Sequence, residues 1–462
     1  ITELRRRLCF SQHNRAIYPG KEATAQLSFI LRRRHMKMAI TPARRLVGEI
    51  HVPGDKSISH RAVMLGSIAQ GDTYITNFLM SDDCMSTIRA FRHMGVPIQI
   101  TDPDTVIVKG RGLRGLTPPK IAIDAGNSGT TARLLAGLLS GQSFSSTITG
   151  DESLRRRPMD RVITPLRKMG AHISGVQDKY LPLSIKGGAL KGIDYFMPVA
   201  SAQVKSCLML ATLYADSPSR IYEPAPSRNH TELMLQAFGG RLDINGNEIT
   251  VYPVSQLYGQ HVDVPGDISS AAFFITAGLL VPNSSIILKG VGLNPTRTGI
   301  LEVYKQMCGS LAIENVSTSG GEKRGDIIVN ASHLKGTVIG GQLIPRLIDE
   351  IPVIALAATQ AEGTTIIKDA QELKVKESNR IATVVDILSR LGASIEATDD
   401  GMVIYGPTPL KGNWVDSFGD HRLAMMAAIA GLIASGETVI NGWECVNISF
   451  PGFYDMLKRL QN

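Results

Sequence analysis

Apolar and polar positions along this chain fall into one pattern that recurs five times. A stretch with apolar residues every three or four positions predicts a helix. It ends on a hydrophobic residue and a glycine, and a run alternating apolar with polar predicts a half-buried strand directly after it. The pattern occupies residues 88–100, closing its helix on Gly95, and returns at 166–173 with Gly170 and at 235–244 with Gly239. Two further copies follow at 304–313 with Gly309 and at 388–395 with Gly392. Glycine suits the junction because it turns the chain left-handed out of a helix without a Cβ penalty. One such junction is common in α/β proteins. Five at spacings of 75, 69, 70 and 83 residues, with a last helix at 453–460 after which the chain stops, predict six copies of one unit.

A second echo is sharper. His51-Val-Pro-Gly-Asp-Lys-Ser57 matches Asp263-Val-Pro-Gly-Asp-Ile-Ser269, 212 residues later, and an alanine-rich apolar helix follows each. That separation is close to three units, so the chain reads as two related halves. In each block a strand ends at Val-Pro-Gly-Asp, and the serine is expected to open the helix. Period-two strands at 105–109, 248–252 and 402–405 predict sheets covered by helices with one face partly outward.

Length and composition agree with two ordinary cores. The chain has 462 residues, 43% hydrophobic and 19% charged, which is globular. No apolar run approaches the roughly 18 residues of a membrane helix, and stretches such as 271–281 read as core helices. The five cysteines (Cys9, Cys84, Cys207, Cys308, Cys445) form no Cys-x-x-Cys pair, so reduced thiols are expected, with neither disulfide framework nor metal site. The net charge of +8 is unevenly placed. Residues 1–40 hold nine Lys or Arg against Glu3 and Glu22, which leaves the remainder close to neutral and argues against a nucleic-acid partner. The first 35 residues lack the periodicity of the rest. Two readings fit them: an organelle transit peptide, or a leader upstream of a start at Met36 or Met38.

Polar blocks at predicted helix starts are the candidate chemistry. Pro53-Gly-Asp-Lys56-Ser57-Ile-Ser59-His60-Arg61 would set a hydroxyl and cations beside unpaired backbone N–H groups, with His60 and Arg61 in the first turn; capping plus a solvated basic turn is the alternative. Its spacing is not that of a nucleotide phosphate loop. Asp124-Ala-Gly-Asn127-Ser128-Gly129-Thr130-Thr131-Ala-Arg133 would let a ligand approach backbone closely, although Asn-Ser-Gly is also ordinary turn chemistry. Arg155, Arg156 and Arg157 fit an anion site or a solvated face. Ser201, Gln203 and Lys205 offer graded hydrogen bonding to a polyhydroxylated substrate, and Ser227 and Arg228 form another pair. In the second half, Asp349-Glu350, Lys374-Val-Lys376-Glu377-Ser-Asn-Arg380 and Gly419-Asp-His421-Arg422 mix acids with cations, which can neutralise a phosphate and move a proton. A helix cap at Asp349 and a plain Glu377–Arg380 helix pair are the structural alternatives.

Taken in order, these blocks resemble the 5-enolpyruvylshikimate-3-phosphate synthase family of enolpyruvyl transferases over residues 40–462. The resemblance implies an α/β (α+β type), inside-out, barrel-like fold of two domains. Each domain carries three βαβαββ units, and the active site lies in the cleft between them. Domain 1 would span 53–266 and domain 2 would span 39–52 plus 267–462, with 1–38 a basic leader outside the core. It implies that shikimate 3-phosphate is held by Ser57, Arg61, Ser201, Ala202 (through backbone), Gln203, Arg228, Asp349 and Lys376. Phosphoenolpyruvate would be held by Lys56, Gly129, Arg157, Gln203, Arg380 and Arg422, with Arg133 supporting the glycine-rich turn. Asp349 would be the base at the 5-hydroxyl and Glu377 the proton donor to C3, with Lys56 assisting, in an addition–elimination without a covalent enzyme intermediate. No cofactor or metal is implied, and a cytoplasmic monomer is expected. Two positions depart from the family pattern: Ile448 stands where some members carry Lys, and Leu134 where others carry Pro. The related UDP-N-acetylglucosamine enolpyruvyl transferases use a cysteine in the loop that is 150–157 here, and this loop has none. A binding protein with degenerate chemistry would lack one of the two acids, and both Asp349 and Glu377 are present.

Overall fold

The computed structural model describes residues 36–461; the basic segment 1–35 lies outside them. The unit that repeats is seen whole in 123–186. A strand (Ile123–Asp124) leads to a helix (Gly129–Ser140), a second strand (Ser145–Thr149) to a second helix (Asp160–Lys168), and a hairpin follows (His172–Val176 with Tyr180–Lys186). The first two strands pair parallel. The last strand then lies between the second and third, antiparallel to both, giving the order first, second, fourth, third. Four of the six sheets have this order, and a fifth has it with His261–Asp263, a strand from later in the chain, in the first place, so the expected βαβαββ unit is present.

The sixth sheet has three strands. Its unit stops after the helix Phe453–Gln461, and the strand Lys37–Ile40 pairs antiparallel with Thr438–Asn441 where the fourth strand would stand. Lys37 and Met38, expected in the leader, are therefore sheet residues. The chain also exchanges strands at the two Pro-Gly-Asp blocks. Val47–Ile50 precedes the first block yet pairs with Ser285–Gly292, while His261–Asp263 precedes the second and pairs with Asp72–Thr76.

Helices lie inside and sheets outside for a reason legible in their composition. The first helix of each unit is apolar nearly all round. Ile268–Leu280 reads ISSAAFFITAGLL and is buried from Ile268 to Leu279, and Ile351–Thr359 is buried throughout. A helix without a polar face has to be enclosed. The sheets instead alternate, as in Tyr180–Lys186, where Leu181, Leu183 and Ile185 are buried and their neighbours are exposed or half-buried. Buried apolar side chains gather into two clusters. One draws on residues 58–264, the other on 40–52 and 268–460.

The helix-to-strand junctions share one geometry, with a single change in sequence. Gly95, Gly170, Gly239 and Gly392 adopt φ of +82°, +90°, +90° and +96°. In the fourth copy the left-handed residue is Cys308 (φ 65°), and Gly309 follows it. Cys308 N–H reaches Lys305 O at 3.1 Å and Gly309 N–H reaches Tyr304 O at 2.7 Å, the bonds that Gly95 and Val96 make to Arg92 and Phe91. The glycine that marks the repeat is thus displaced by one residue, and a cysteine takes the costly conformation.

Candidate active site

All six enclosed helices point their N-termini at one cavity of about 420 Å³, and residues at each start line it. These are Lys56 and Ser57, Gly129 and Thr130, Ala202 and Gln203, Asp267 and Ser269, Ile348 and Asp349, and His421 and Arg422. Six helix dipoles with unpaired N–H groups make the cavity attractive to anions before any side chain is counted. The side chains add to this: nine lysines and arginines line it against six carboxylates.

Capping decides which hydroxyls are left for a ligand. Asp55 Oδ1 accepts from Ile58 N (2.9 Å), Asp267 Oδ1 from Ser269 N (3.0 Å) and Asp420 Oδ1 from Arg422 N (3.0 Å). The expected serine cap is therefore wrong at both Pro-Gly-Asp blocks: the aspartate caps, and the helix already runs from Lys56. Ser57 is freed to face the cavity, while His60 and Arg61 fall in the second turn. Ser201 holds the cap position of Ala202–Thr212 without a side-chain capping bond, so its hydroxyl also remains available. Asp349 caps nothing; Glu350 holds the cap position without a side-chain capping bond and accepts from Ser269 Oγ instead.

On the first-half side, Lys56 Nζ meets Asp83 Oδ2 at 3.1 Å. Arg61 is buried, and it donates to Thr231 Oγ1 (2.6 Å), Ser206 Oγ (2.8 Å) and Ser57 O (2.9 Å). Burial pushes its pKa down to about 10. Gln203 donates to Thr130 Oγ1 (3.1 Å) and accepts from Arg133, which also donates to Pro158 O (3.1 Å). A Cβ on Gly129 would stand 2.9 Å from the Arg133 guanidinium, so glycine keeps that backbone open. Arg157 Nη2 donates to Asn127 Oδ1 (2.6 Å), and Arg157 Nη1 lies 3.4 Å from Glu377. Arg155 and Arg156 are exposed, so the solvated-face reading holds for those two alone.

The second-half side centres on Asp349. Arg228 reaches across to it, and Arg380 (3.2 Å), Lys376 (3.6 Å) and Arg422 (3.8 Å) surround it. Burial by itself would raise its pKa, but Lys376, Arg228, Arg422 and Arg380 together hold the carboxyl well below the usual range. Glu377 is alike: burial opposes, and Arg380 and Arg157 prevail. Arg380 Nη2 pairs with Glu377 at 2.6 Å, although Glu377 precedes the helix Arg380–Arg390 and the pair is not an intrahelical one.

Thirteen of the fourteen expected site residues line this cavity. Arg380 does not. It is 1% exposed, with Nε on Asp420 (2.8 Å), and stands behind Asp349 and Glu377. Two further expectations from the polar blocks change. His60 is buried outside the lining and its pKa is driven well below the ordinary value by burial and by Lys56, so it is a neutral ring and no cation. Lys205 is buried between Glu223 (2.7 Å) and Glu232 (2.6 Å), outside the cavity lining. Ile448 packs against the core outside the lining, and Leu134 is fully buried.

Sequence reasoning missed Asp83, Arg161, Arg297 and Glu372 among the lining residues. Asp83 reads as an ordinary acid in a helix first turn, and only the fold brings it to Lys56. Arg161 and Glu372 meet at 2.8 Å across 211 residues, a pairing without local signal. Among the described residues, no cluster of His, Cys, Asp or Glu could hold a metal ion, and no helix is long and apolar enough to cross a membrane. Cys84 and Cys207 are buried in helices and do not line the cavity.

Comparison with known proteins gives a consistent result. A family model described as EPSP synthase (3-phosphoshikimate 1-carboxyvinyltransferase) matches residues 40–457. A protein named 3-phosphoshikimate 1-carboxyvinyltransferase from Thermoanaerobacter sp. (strain X514) is 57% identical over 425 residues, covering 92% of this chain and 100% of that protein. One of the same name from Desulforudis audaxviator (strain MP104C) is 55% identical over 427 residues, with the same two coverages. The solved structure of EPSP synthase from Acinetobacter baumannii superimposes with a TM-score of 0.83 at 44% identity, covering 92% of this chain and 98% of that one.

Proposed function

The chain belongs to the EPSP synthase family, and from that premise we propose how its cleft divides the work of the reaction. The enzyme transfers the enolpyruvyl group of phosphoenolpyruvate to shikimate 3-phosphate, a step of aromatic amino-acid biosynthesis. One observation carries the assignment of the site: six helix N-termini and an excess of cations converge on a cavity whose six carboxylates include Asp349 and Glu377.

In this reading shikimate 3-phosphate lies against Ser57, Arg61, Ser201, the Ala202 backbone, Gln203 and Arg228, with Asp349 and Lys376 at its reacting side. Phosphoenolpyruvate takes Lys56, the Gly129 backbone, Gln203, Arg157 and Arg422. Its carboxylate and phosphate match guanidinium forks, which explains the arginines. Arg380 serves from behind, by fixing Glu377 and Asp349. Asp349 accepts the proton of the 5-hydroxyl as that oxygen attacks C2, and Glu377, with Lys56 assisting, delivers a proton to C3. The C3 methyl of the tetrahedral adduct then returns a proton to Glu377 as phosphate leaves C2 and the enolpyruvyl C=C bond re-forms. Each transfer needs an acid or a base among fixed cations. The two carboxylates neutralise Arg228, Arg422 and Arg157, the same groups that the substrate anions would pair with. Substrate anions take over those arginines, which weakens the hold on the two acids and lets them exchange protons.

We divide the chain into residues 53–266 and residues 37–52 plus 267–462; the two separate apolar clusters, and the pairing of Lys37–Ile40 with Thr438–Asn441, support this division. We read the enzyme as a cytoplasmic monomer with small anions, and no nucleic acid, as partners; the near-neutral charge beyond residue 40 supports the last point. The test is phosphate release from phosphoenolpyruvate with shikimate 3-phosphate, run beside UDP-N-acetylglucosamine. Turnover with the first alone is expected; turnover with the second alone overturns the reading.

A further inference from the structure

One group in the Lys56–Ile68 helix has no part in the chemistry above. His60 is fully buried, its Nδ1 lies 2.7 Å from Thr87 Oγ1, and its Nε2 has no partner. Thr87 Oγ1 lies 2.7 Å from Thr131 Oγ1, and Thr131 gives both its hydroxyl (2.8 Å) and its backbone N–H (3.1 Å) to Ser128 Oγ. His60, Thr87 and Thr131 are 0% exposed and Ser128 is 1% exposed.

Only one arrangement of protons satisfies this chain. Thr131 spends its hydroxyl proton on Ser128, so it accepts from Thr87. Thr87 then has none left for His60, so His60 Nδ1 carries the hydrogen and donates. The ring is neutral, in accord with its lowered pKa, and Nε2 keeps a buried lone pair without a hydrogen-bond partner. A protonated ring would strand a buried N–H, which costs more.

The chain joins three helices whose starts reach the cavity: Lys56–Ile68, Asp82–His93 and Gly129–Ser140. Residues four apart share a helix face. Lys56 and His60 are so related, as are Asp83 and Thr87. The Lys56–Asp83 ion pair (3.1 Å) is thus the upper rung of a ladder, and His60–Thr87 is its lower rung, one turn deeper. Thr131 and the cap Ser128 tie the third helix, whose first residue is Gly129, to the same rung. β-Branched threonines are stiff about χ1, so the link transmits position with little play.

We propose that His60, Thr87, Thr131 and Ser128 are positioning residues. They form a buried hydrogen-bonded brace that sets the distance between Lys56 and the Gly129 backbone, and so the width of the phosphoenolpyruvate subsite. The inference rests on the assignment of Lys56 and Gly129 to phosphoenolpyruvate made above. Shikimate 3-phosphate, held mainly by other helix starts, is little affected by the brace.

The discriminating pair is Thr87→Val, which keeps the shape and removes the hydroxyl, and Thr87→Ser, which keeps the hydroxyl. Steady-state KM for each substrate and kcat would be measured, together with the binary dissociation constant of shikimate 3-phosphate by calorimetry. Thr87→Val is expected to raise the KM for phosphoenolpyruvate by about tenfold, as for the loss of one buried hydrogen-bonded link, and to leave shikimate 3-phosphate binding within about twofold. Thr87→Ser is expected to stay within about twofold of the parent in every parameter. An unchanged phosphoenolpyruvate KM in folded Thr87→Val overturns the brace, and so does an equal loss of affinity for both substrates. Should Thr87→Val not fold, Thr131→Val against Thr131→Ser reads the same link. If the parent itself does not turn over the two substrates, the assignment of the cleft fails, which is a distinct outcome from failure of the brace.

Discussion

Asp349→Asn separates the two parts this carboxylate plays. Asparagine keeps the shape and one acceptor oxygen but can neither take a proton nor neutralise the cations around it. Loss of a positioned general base lowers kcat by about 10²–10⁴-fold, or roughly 3–5 kcal/mol of barrier. The ground state changes as well. Arg228, Arg380, Lys376 and Arg422 all lie around Asp349, whose side chain is only 13% exposed. Arg380 keeps Asp420 and Glu377 as partners, so the charge left uncompensated sits mainly on Arg228, Lys376 and Arg422. Removing one partner from such a nearly buried group costs about 3 kcal/mol. An unfolding entropy of about 2.1 cal/mol/K per residue converts that, for a chain of this length, to a melting temperature lower by about 3 °C. Inorganic phosphate should return most of the difference, because it supplies the missing anion. The assays are phosphate release for kcat and calorimetry with and without phosphate. A variant that keeps kcat within tenfold of the parent would refute the base assignment. Equal phosphate stabilisation of parent and variant would refute the claim that Asp349 neutralises the groups a substrate anion would pair with.

Three further outcomes follow from the geometry. Arg157→Ala should raise the KM for phosphoenolpyruvate by about 10–100-fold through the loss of a charged fork, with Arg157→Lys recovering only part; binary shikimate 3-phosphate binding, followed by calorimetry, should be unchanged. Asp267→Asn should flatten part of the pH dependence of stability. Burial and the neighbouring Asp55 raise the Asp267 pKa to about 6, above its unfolded value, so this group stabilises the fold as pH falls from 7 towards 4 and opposes it above 6. The variant should therefore gain on the parent more at pH 8 than at pH 4 in urea titrations, and a parallel pair of curves counts against the raised value. Cys308→Gly should stabilise by about 0.5–1 kcal/mol by relieving the left-handed cysteine, whereas Cys308→Ala should not. Hydrogen exchange at the following amides reads this better than a melting curve, which would move by only about 1 °C.

The period of the chain was legible because a repeated fold repeats its punctuation, and apolar helices with alternating strands declare which is enclosed. The cleft residues were legible in a different way. They sit at helix starts, where a short polar block interrupts an apolar run, as in Lys56-Ser57 or Gly129-Thr130. Lys205 belongs to such a block too, but it lies a turn into its helix and faces the core, where Glu223 and Glu232 neutralise it. Arg380 shows the opposite limit: its block is right, yet three carboxylates hold it behind the wall. Direction from the helix axis, absent from a linear motif, separates these cases. Pairs that meet only through the fold, such as Arg161 with Glu372, leave no local trace.

The two Pro-Gly-Asp blocks carry the clearest lesson about duplication, since the copies prove to be contact partners. Asp55 N–H donates to Pro265 O and Asp267 N–H to Pro53 O, both at 2.8 Å, a reciprocal pair at the point where the chain passes between its halves. A Cβ on Gly54 would meet Asn77 O at 1.8 Å and one on Gly266 would meet Val52 at 2.9 Å, so both glycines are required by close approach. The buried guanidinium of Arg297 then joins the two caps, at 3.1 Å from Asp55 and 3.2 Å from Asp267. The Pro, Gly and Asp kept in both copies therefore serve the crossover, while the shared serine has separate uses: Ser57 lines the cavity and Ser269 Oγ accepts from Arg297. The residue after the aspartate is the first of each helix and faces different neighbours: Lys56 lines the cavity, while Ile268 is 2% exposed in the core. The same six-helix frame can thus concentrate positive potential from both sides while each half commits different side chains to it. The first half lines the cavity with hydroxyls, amides and open backbone, and the second brings Asp349 and Glu377 to it.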